Sequence, residues 1–254
     1  MNLNKQRSYL PLAAFLGLVF ITVEILVRTG NLPSFIIPAP TKVLLMLFKD
    51  SKNLFFQHML TTLMETLMGF FSSILIGILC ALSMFYFKRA ERILYPLILI
   101  SQTIPTIALS PIFVLWFGYT LWSKVAMAFL LGFFPIVIGL YDALRETNSD
   151  AEELFLSMGA SRLGLFLHLQ FPSALPAFFS GLKLSVVYCV VGATIGEWLG
   201  ASKGLGYYTR RMSGNLNAEG VFAAITLLSA LGMLLFGIIT IIEKLYLHKK
   251  RKNK

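Results

Sequence analysis

The chain has 254 residues, of which 57% are apolar and only 13% charged, and its mean hydropathy is +0.76. A soluble domain carries about a quarter charged residues and lacks apolar runs of about 18 or more, so a water-soluble globular enzyme is excluded. The surplus of 22 basic over 12 acidic residues fits contact with the anionic cytoplasmic face of a membrane, and no nucleic-acid-binding module accompanies it.

An apolar helix needs about 20 residues to cross a hydrocarbon core of about 30 Å. Six segments meet that need: Tyr9 to Val27, Leu60 to Phe87, Ile93 to Phe117, Leu121 to Tyr141, Ala177 to Gly196 and Val221 to Ile242. The expected fold is therefore all-α, a polytopic transmembrane bundle forming one domain over residues 1–254. Lys5 and Arg7 give the first segment a basic start. It is too long for a secretory signal and lacks a small-residue cleavage site, so it is read as an anchor. Both termini are expected in the cytoplasm, because that orientation puts more Lys and Arg inside; the excess comes wholly from the tail after Lys244.

Between the first two spans lie Pro33, Pro38 and Pro40, with Thr41 as the expected N-cap of a short helix through Phe48. Glu24 stands four residues before Arg28, the favourable order for a helical ion pair. Glu65, early in the second span, either reaches the outer interface or serves a function. In the third span Pro105 and Pro111 each remove a helical hydrogen bond. Ser101, Gln102, Thr103, Thr106 and Ser110 surround these breaks, which turns that face toward a polar cavity unless the hydroxyls bond back to their own helix. Gln102, with donors and acceptors on a longer side chain, is the first choice for lining a solute route. Phe133 and Phe134 are read as packing residues, and Cys80 and Cys189 as small buried hydrophobes.

Residues 142–175 form the longest polar loop. Ser149 and Glu152 match a capping box, so a helix starts near Asp150, and Asp150, Glu152 and Glu153 suit the positive end of its dipole. Leu154, Phe155 and Met158 supply an apolar stripe, and Gly159 falls where a left-handed C-terminal cap is wanted. A second helix over Leu163 to Leu169 is expected to stop at Pro172. Such a hairpin either docks a protein partner or rests on the membrane surface. After the fifth span, Glu197 is expected to hold the turn containing Gly200, Gly204 and Gly206 by accepting backbone N–H groups.

No phosphate-binding loop, HExxH or GxSxG motif occurs, and His58, His168 and His248 are scattered. Metal binding and catalysis are not expected. Any driving energy must come from a gradient or from another chain.

The loop from the glutamates through Gly159-Ala160-Ser161 to Leu175-Pro176 resembles the cytoplasmic signature loop of ABC importer permeases. The stretches PAPTKVLLML, SQTIPTIALSPIFVLWFG, FFPIV and GEWLGASKGLGYY are similar to the nitrate/sulfonate/taurine-type subgroup, which includes permeases for thiamine-pyrimidine precursors and riboflavin. One departure stands out: Phe155 occupies the position where the family carries a small alanine. The resemblance implies that residues 142–175 form a coupling helix seated in a groove of a cytoplasmic ABC ATPase. Glu152, Glu153 and Phe155 would face that subunit, Gly159 would turn the chain, and Ala160 and Ser161 would start the second helix. It further implies a bacterial cell-membrane location, an extracytoplasmic solute-binding protein and two copies enclosing one pathway. Gln102, Thr103, Thr106 and Ser110 would lie along that pathway. ATP would be bound by the partner, leaving no cofactor in this chain. The cargo would be a small polar or anionic nutrient, with pyrimidine precursors preferred. The alternatives are a gradient-driven secondary carrier and a non-transporting membrane scaffold.

Overall fold

A computed structural model of the protein describes residues 10–252; Tyr9, Lys5, Arg7 and Lys254, which entered the reading of the termini, lie outside them. Among the described residues all regular structure is helical. Helix α1 covers Leu10–Arg28 and α2 Pro40–Lys49, while a π-helical turn at Asn53–Met59 runs directly into α3, Leu60–Tyr86. Helices α4 (Lys88–Ser101), α5 (Thr106–Phe117) and α6 (Leu121–Arg145) follow. The loop region contains α7 (Ser149–Ser157) and α8 (Arg162–Leu165), and a second π-helical turn, Phe166–Gln170, leads into α9, Phe171–Gly200. Helix α10 (Leu205–Gly214) and the long α11 (Ala218–Lys252) complete the chain.

Among the described residues, four continuous helical stretches are long and apolar enough to cross a membrane: Asn53–Tyr86, Leu121–Arg145, Arg162–Gly200 and Ala218–Leu247. The expected third span is not one helix. Its halves, α4 and α5, meet at 105° across residues 102–105, and together they supply at most a fifth crossing. Pro105 explains the break: it cannot donate to the preceding turn and biases Ile104 away from helix.

Two local expectations are corrected. Thr41 does not cap α2; Ala39 is the N-cap and Pro40 occupies the first turn, where a missing N–H is tolerated. Thr41 instead gives its hydroxyl to Glu24 Oε1 (2.7 Å) and its amide to Glu24 Oε2 (3.1 Å), beside the Arg28–Glu24 ion pair (2.6 Å). The helix after Ser161 does not stop at Pro172, because the π-turn just before it re-registers the hydrogen bonds and the chain continues unbroken to Gly200. At 39 residues that stretch measures about 58 Å, so it reaches well beyond a hydrocarbon core.

The core is the contact of α9 with α6 and of α6 with α3. Lipid offers no hydrophobic drive for helices to associate, so the contact relies on small residues that let backbones approach. A Cβ on Gly192 would lie 2.6 Å from the Met127 carbonyl, and one on Gly181 would lie 2.7 Å from that of Pro135. Ala128, Ile136, Val186, Cys189 and Ala193 fill the middle. Met84, Val137, Leu140, Leu144 and Ala174 pack at the end that carries the 142–175 loop. At the opposite end Leu54, Leu205, Tyr208 and Ala223 form a third cluster beneath α10.

Candidate functional site

Three polar constructions interrupt the apolar bundle. The first is the hairpin of residues 148–170. Its N-cap is Asn148, one residue before the expected Ser149: Asn148 Oδ1 accepts from Asp150 N (2.9 Å) and Ala151 N (3.3 Å). An Asx side chain spans that distance better than serine and is at least as good a cap. Glu152 is thereby released from any capping box, and its Oε1 accepts Gln170 Nε2 at 2.7 Å, tying α7 to the foot of α9. Gly159 has φ +81°. The amide of Ala160 donates to the Phe155 carbonyl (3.1 Å) and that of Gly159 to Leu156 (3.0 Å), which closes a Schellman turn. Ser161 Oγ then caps α8 by accepting Gly164 N (3.1 Å). Glu153 is exposed and Phe155 half-buried, while Leu154, Leu156, Leu163 and the 78%-exposed Met158 form an apolar surface.

The second is a groove of about 690 Å³ between the α4–α5 break and the α6–α9 face. Gln102 and Thr106 lie on its wall with Ser180 and Tyr188, over a floor that includes Pro135 and Leu184. Thr103 and Ser110, expected along the same pathway, are not among the residues lining this groove. Thr103, although exposed, returns its hydroxyl to the Ile100 carbonyl (2.7 Å). Ser110 is buried, and its Oγ points at the Ile195 carbonyl (3.4 Å), so it joins α5 to α9. Among the described residues the carbonyls of Gln102, Thr103 and Ile104 accept no backbone amide, which leaves the break polar.

The third lies at the opposite end from the hairpin and centres on Glu197, which is fully buried. Its Oε1 accepts the Thr62 hydroxyl at 2.6 Å, and its Oε2 accepts the Gly206 amide, with the Tyr207 amide also directed at it. His58 Nδ1 accepts Gly204 N (3.1 Å) and Thr62 Oγ1 accepts Leu205 N (2.8 Å). Gly204 is required here: its φ is +113°, and a Cβ would strike the Glu197 carboxyl. Glu65 does not reach an interface. It is 2% exposed and faces Glu197, with the Lys124 ammonium nearby bonded to the Tyr119 and Thr120 carbonyls (3.2 and 2.8 Å). Tyr208 fastens the outside of this clasp by donating to Asp50 Oδ2 at 2.8 Å. Burial, with the Asp50 carboxylate beside it, pushes the Tyr208 phenol well above its ordinary range, so it stays a donor. Sequence reading named Glu197, Gly204 and Gly206 but missed His58, Thr62 and Lys124. The signal was present: His58, Thr62, Glu65, Gly69 and Ser73 recur at helical spacing on one face of an otherwise apolar segment.

Membrane-length helices, a broken helix beside an uncharged groove and a structured polar hairpin define a multi-pass helical membrane protein. The family described as "Binding-protein-dependent transport system inner membrane component" matches residues 73–248. The chain is 47% identical over 250 residues to the formylaminopyrimidine transport permease protein ThiX of Halalkalibacterium halodurans, covering 98% of this chain and 100% of that one. It is 31% identical to the riboflavin transport system permease protein RibX of Chloroflexus aurantiacus, over 93% of this chain and 88% of that one. Among solved structures, an inward-facing MetNI methionine ABC transporter chain superposes with a TM-score of 0.64 at 21% identity, over 74% of this chain and 93% of that one. The chain belongs to the binding-protein-dependent permease family: it is a permease subunit of an ABC importer, in the subgroup that includes the sulfonate and taurine permeases. Membership implies a separate ATPase and a solute-binding protein as partners.

Proposed function

We propose that two copies of this chain enclose a pathway that imports a formylaminopyrimidine-type vitamin precursor, powered by an ATPase docked on the 148–170 hairpin. The observation that carries the cargo is the full-length 47% identity to the formylaminopyrimidine permease. Six crossings follow if α1, of 19 residues, and the bent α4–α5 pair each count as one with the four continuous stretches. An even number puts both termini on one side, and the basic tail makes that side the cytoplasm. The hairpin then faces the cytoplasm as well, where Leu154, Met158 and Leu163 offer apolar contact to the ATPase and Glu153 a charged one. Gln102 and Thr106 line the route, while Thr103 and Ser110 shape the break behind them. Glu197, Gly204 and Gly206 hold the turn at the outer mouth.

The test is ATP-driven uptake into proteoliposomes holding this chain, its ATPase and its binding protein. Formylaminopyrimidine should accumulate only when all three are present. Uptake of taurine or riboflavin with no pyrimidine uptake would overturn the cargo, and uptake by the lone chain along an ion gradient would revive the secondary carrier.

A further inference from the structure

The groove at the α4–α5 break carries hydrogen-bonding capacity but no charge. None of its lining side chains is Lys, Arg, Asp or Glu. The nearest ammonium along α9, that of Lys183, is committed to Glu243 Oε2 at 2.9 Å. Of its four polar side chains, only Ser180 is engaged, donating to the Pro176 carbonyl at 3.0 Å. The Gln102 amide, the Thr106 hydroxyl and the Tyr188 phenol make no hydrogen bond among the described residues. Uncommitted groups at membrane depth are expensive unless water or a solute meets them, so their convergence on one groove points to a ligand.

The chemistry of that ligand follows from the donor set. A carboxamide presents an N–H donor and a C=O acceptor side by side, complementary to the amino group and adjacent ring nitrogen of an aminopyrimidine. Tyr188 adds a flat face and a hydroxyl, and Pro135 and Leu184 an apolar floor. An anion entering the same groove would lose hydration without gaining a cation. The N-terminus of α5 is the one feature favouring it, and a single helix end is a weak field against that loss.

We propose that the permease groove is itself a selectivity element that accepts neutral, planar, hydrogen-bonding heterocycles and rejects anions, with Gln102 and Tyr188 as its specificity-determining residues. The inference rests on the reading above for placing the groove on the route, but it is tested by binding rather than by uptake.

The permease–ATPase complex in nanodiscs, without binding protein, is dialysed to equilibrium against a radiolabelled neutral aminopyrimidine or ethanesulfonate. The pyrimidine should bind saturably, with ethanesulfonate at least about 100-fold weaker. Gln102→Leu should weaken pyrimidine binding about tenfold, and Tyr188→Phe, which preserves packing, should weaken it less. Gln102→Lys should invert the preference toward the sulfonate. Ethanesulfonate binding as tight as pyrimidine, absence of saturable pyrimidine binding, or unchanged binding in Gln102→Leu would each overturn the inference. The two proposals separate cleanly. A wild-type complex that imports no pyrimidine yet keeps this binding preference loses the cargo assignment alone; one that imports pyrimidine while Gln102→Leu binds normally loses only the groove.

Discussion

Replacing Glu197 with alanine tests whether the buried clasp holds the fold of the outer turn or serves transport. The side chain accepts the buried Gly206 amide and has the amide of half-buried Tyr207 directed at it. Thr62 loses one partner but keeps the His58 carbonyl at 3.2 Å, and Glu65 loses the carboxyl it faces, so the amides carry only the part of the cost that can be worked from the turn. An unsatisfied buried donor costs about 1–3 kcal/mol and the half-buried one adds less, giving about 2–4 kcal/mol in all. For a chain of this size that lowers Tm by about 10 °C in a detergent thermal-denaturation assay. Glu197→Gln keeps one carbonyl oxygen for the amides and should lower Tm by only about 3 °C. Gly204→Ala supplies the internal control, since its added Cβ would collide with the same carboxyl. In the double variant Glu197→Ala/Gly204→Ala that collision is gone and only the left-handed φ is penalised. The double should therefore be more stable than the summed single losses by about 1 kcal/mol or more. A Tm for Glu197→Ala within about 2 °C of wild type, together with lost uptake, would refute this reasoning and make the carboxylate part of the transport step.

Gly159→Val places a β-branched residue at φ +81° and should cost about 1–3 kcal/mol locally. Membrane insertion should be normal while uptake per ATP hydrolysed falls several-fold; full coupling would sink the mechanical reading of the hairpin. Asn148→Ala removes both cap bonds and should weaken α7 by about 1 kcal/mol, read as a lower affinity for the ATPase in a titrated pull-down, with Asn148→Asp restoring it. Lys183 and Glu243 join α9 to α11 as a mostly buried pair. Lys183→Met alone should destabilise by about 3–5 kcal/mol by stranding the carboxylate, whereas Lys183→Met/Glu243→Leu should recover most of the loss, measured by the same melting assay.

The sequence made the hairpin largely legible, because its features are local: a cap, a first turn of acids, a glycine at the C-terminal end. The one-residue error at Asn148 and the helix that runs on past Pro172 came from the same source. Both depend on which of two adjacent hydrogen-bond registers the backbone selects, and composition does not encode that. The clasp was half legible. Glu197 and the glycines advertise a turn, but Lys124 and Glu65 sit in different apolar segments, and only the packing of α3, α6 and α9 brings them together. The α4–α5 break was visible as Pro105, whereas the 105° bend depends on the neighbours that receive α5, including the Ser110 contact to Ile195.

The distribution of these features carries a mechanical consequence. Close glycine contacts join α6 and α9 along their length, so the two helices move as one body: separating them would open voids that lipid chains cannot fill. The α4–α5 break is different. Its backbone is held by short turn bonds at 102–104, by Ala108 donating to Pro105 and by Ser110 reaching α9, and nothing of comparable tightness locks its free carbonyls. A push on the hairpin passes through Glu152 and Gln170 into the foot of α9, and hence into the rigid α6–α9 pair. Motion of that pair against the α4–α5 break alters the groove between them, which Gln102 and Tyr188 both line. With the ATPase docked on the hairpin as proposed, hydrolysis there would change the proposed cargo groove without deforming any helix, which is the kind of two-state rigid-body coupling that packed interfaces support.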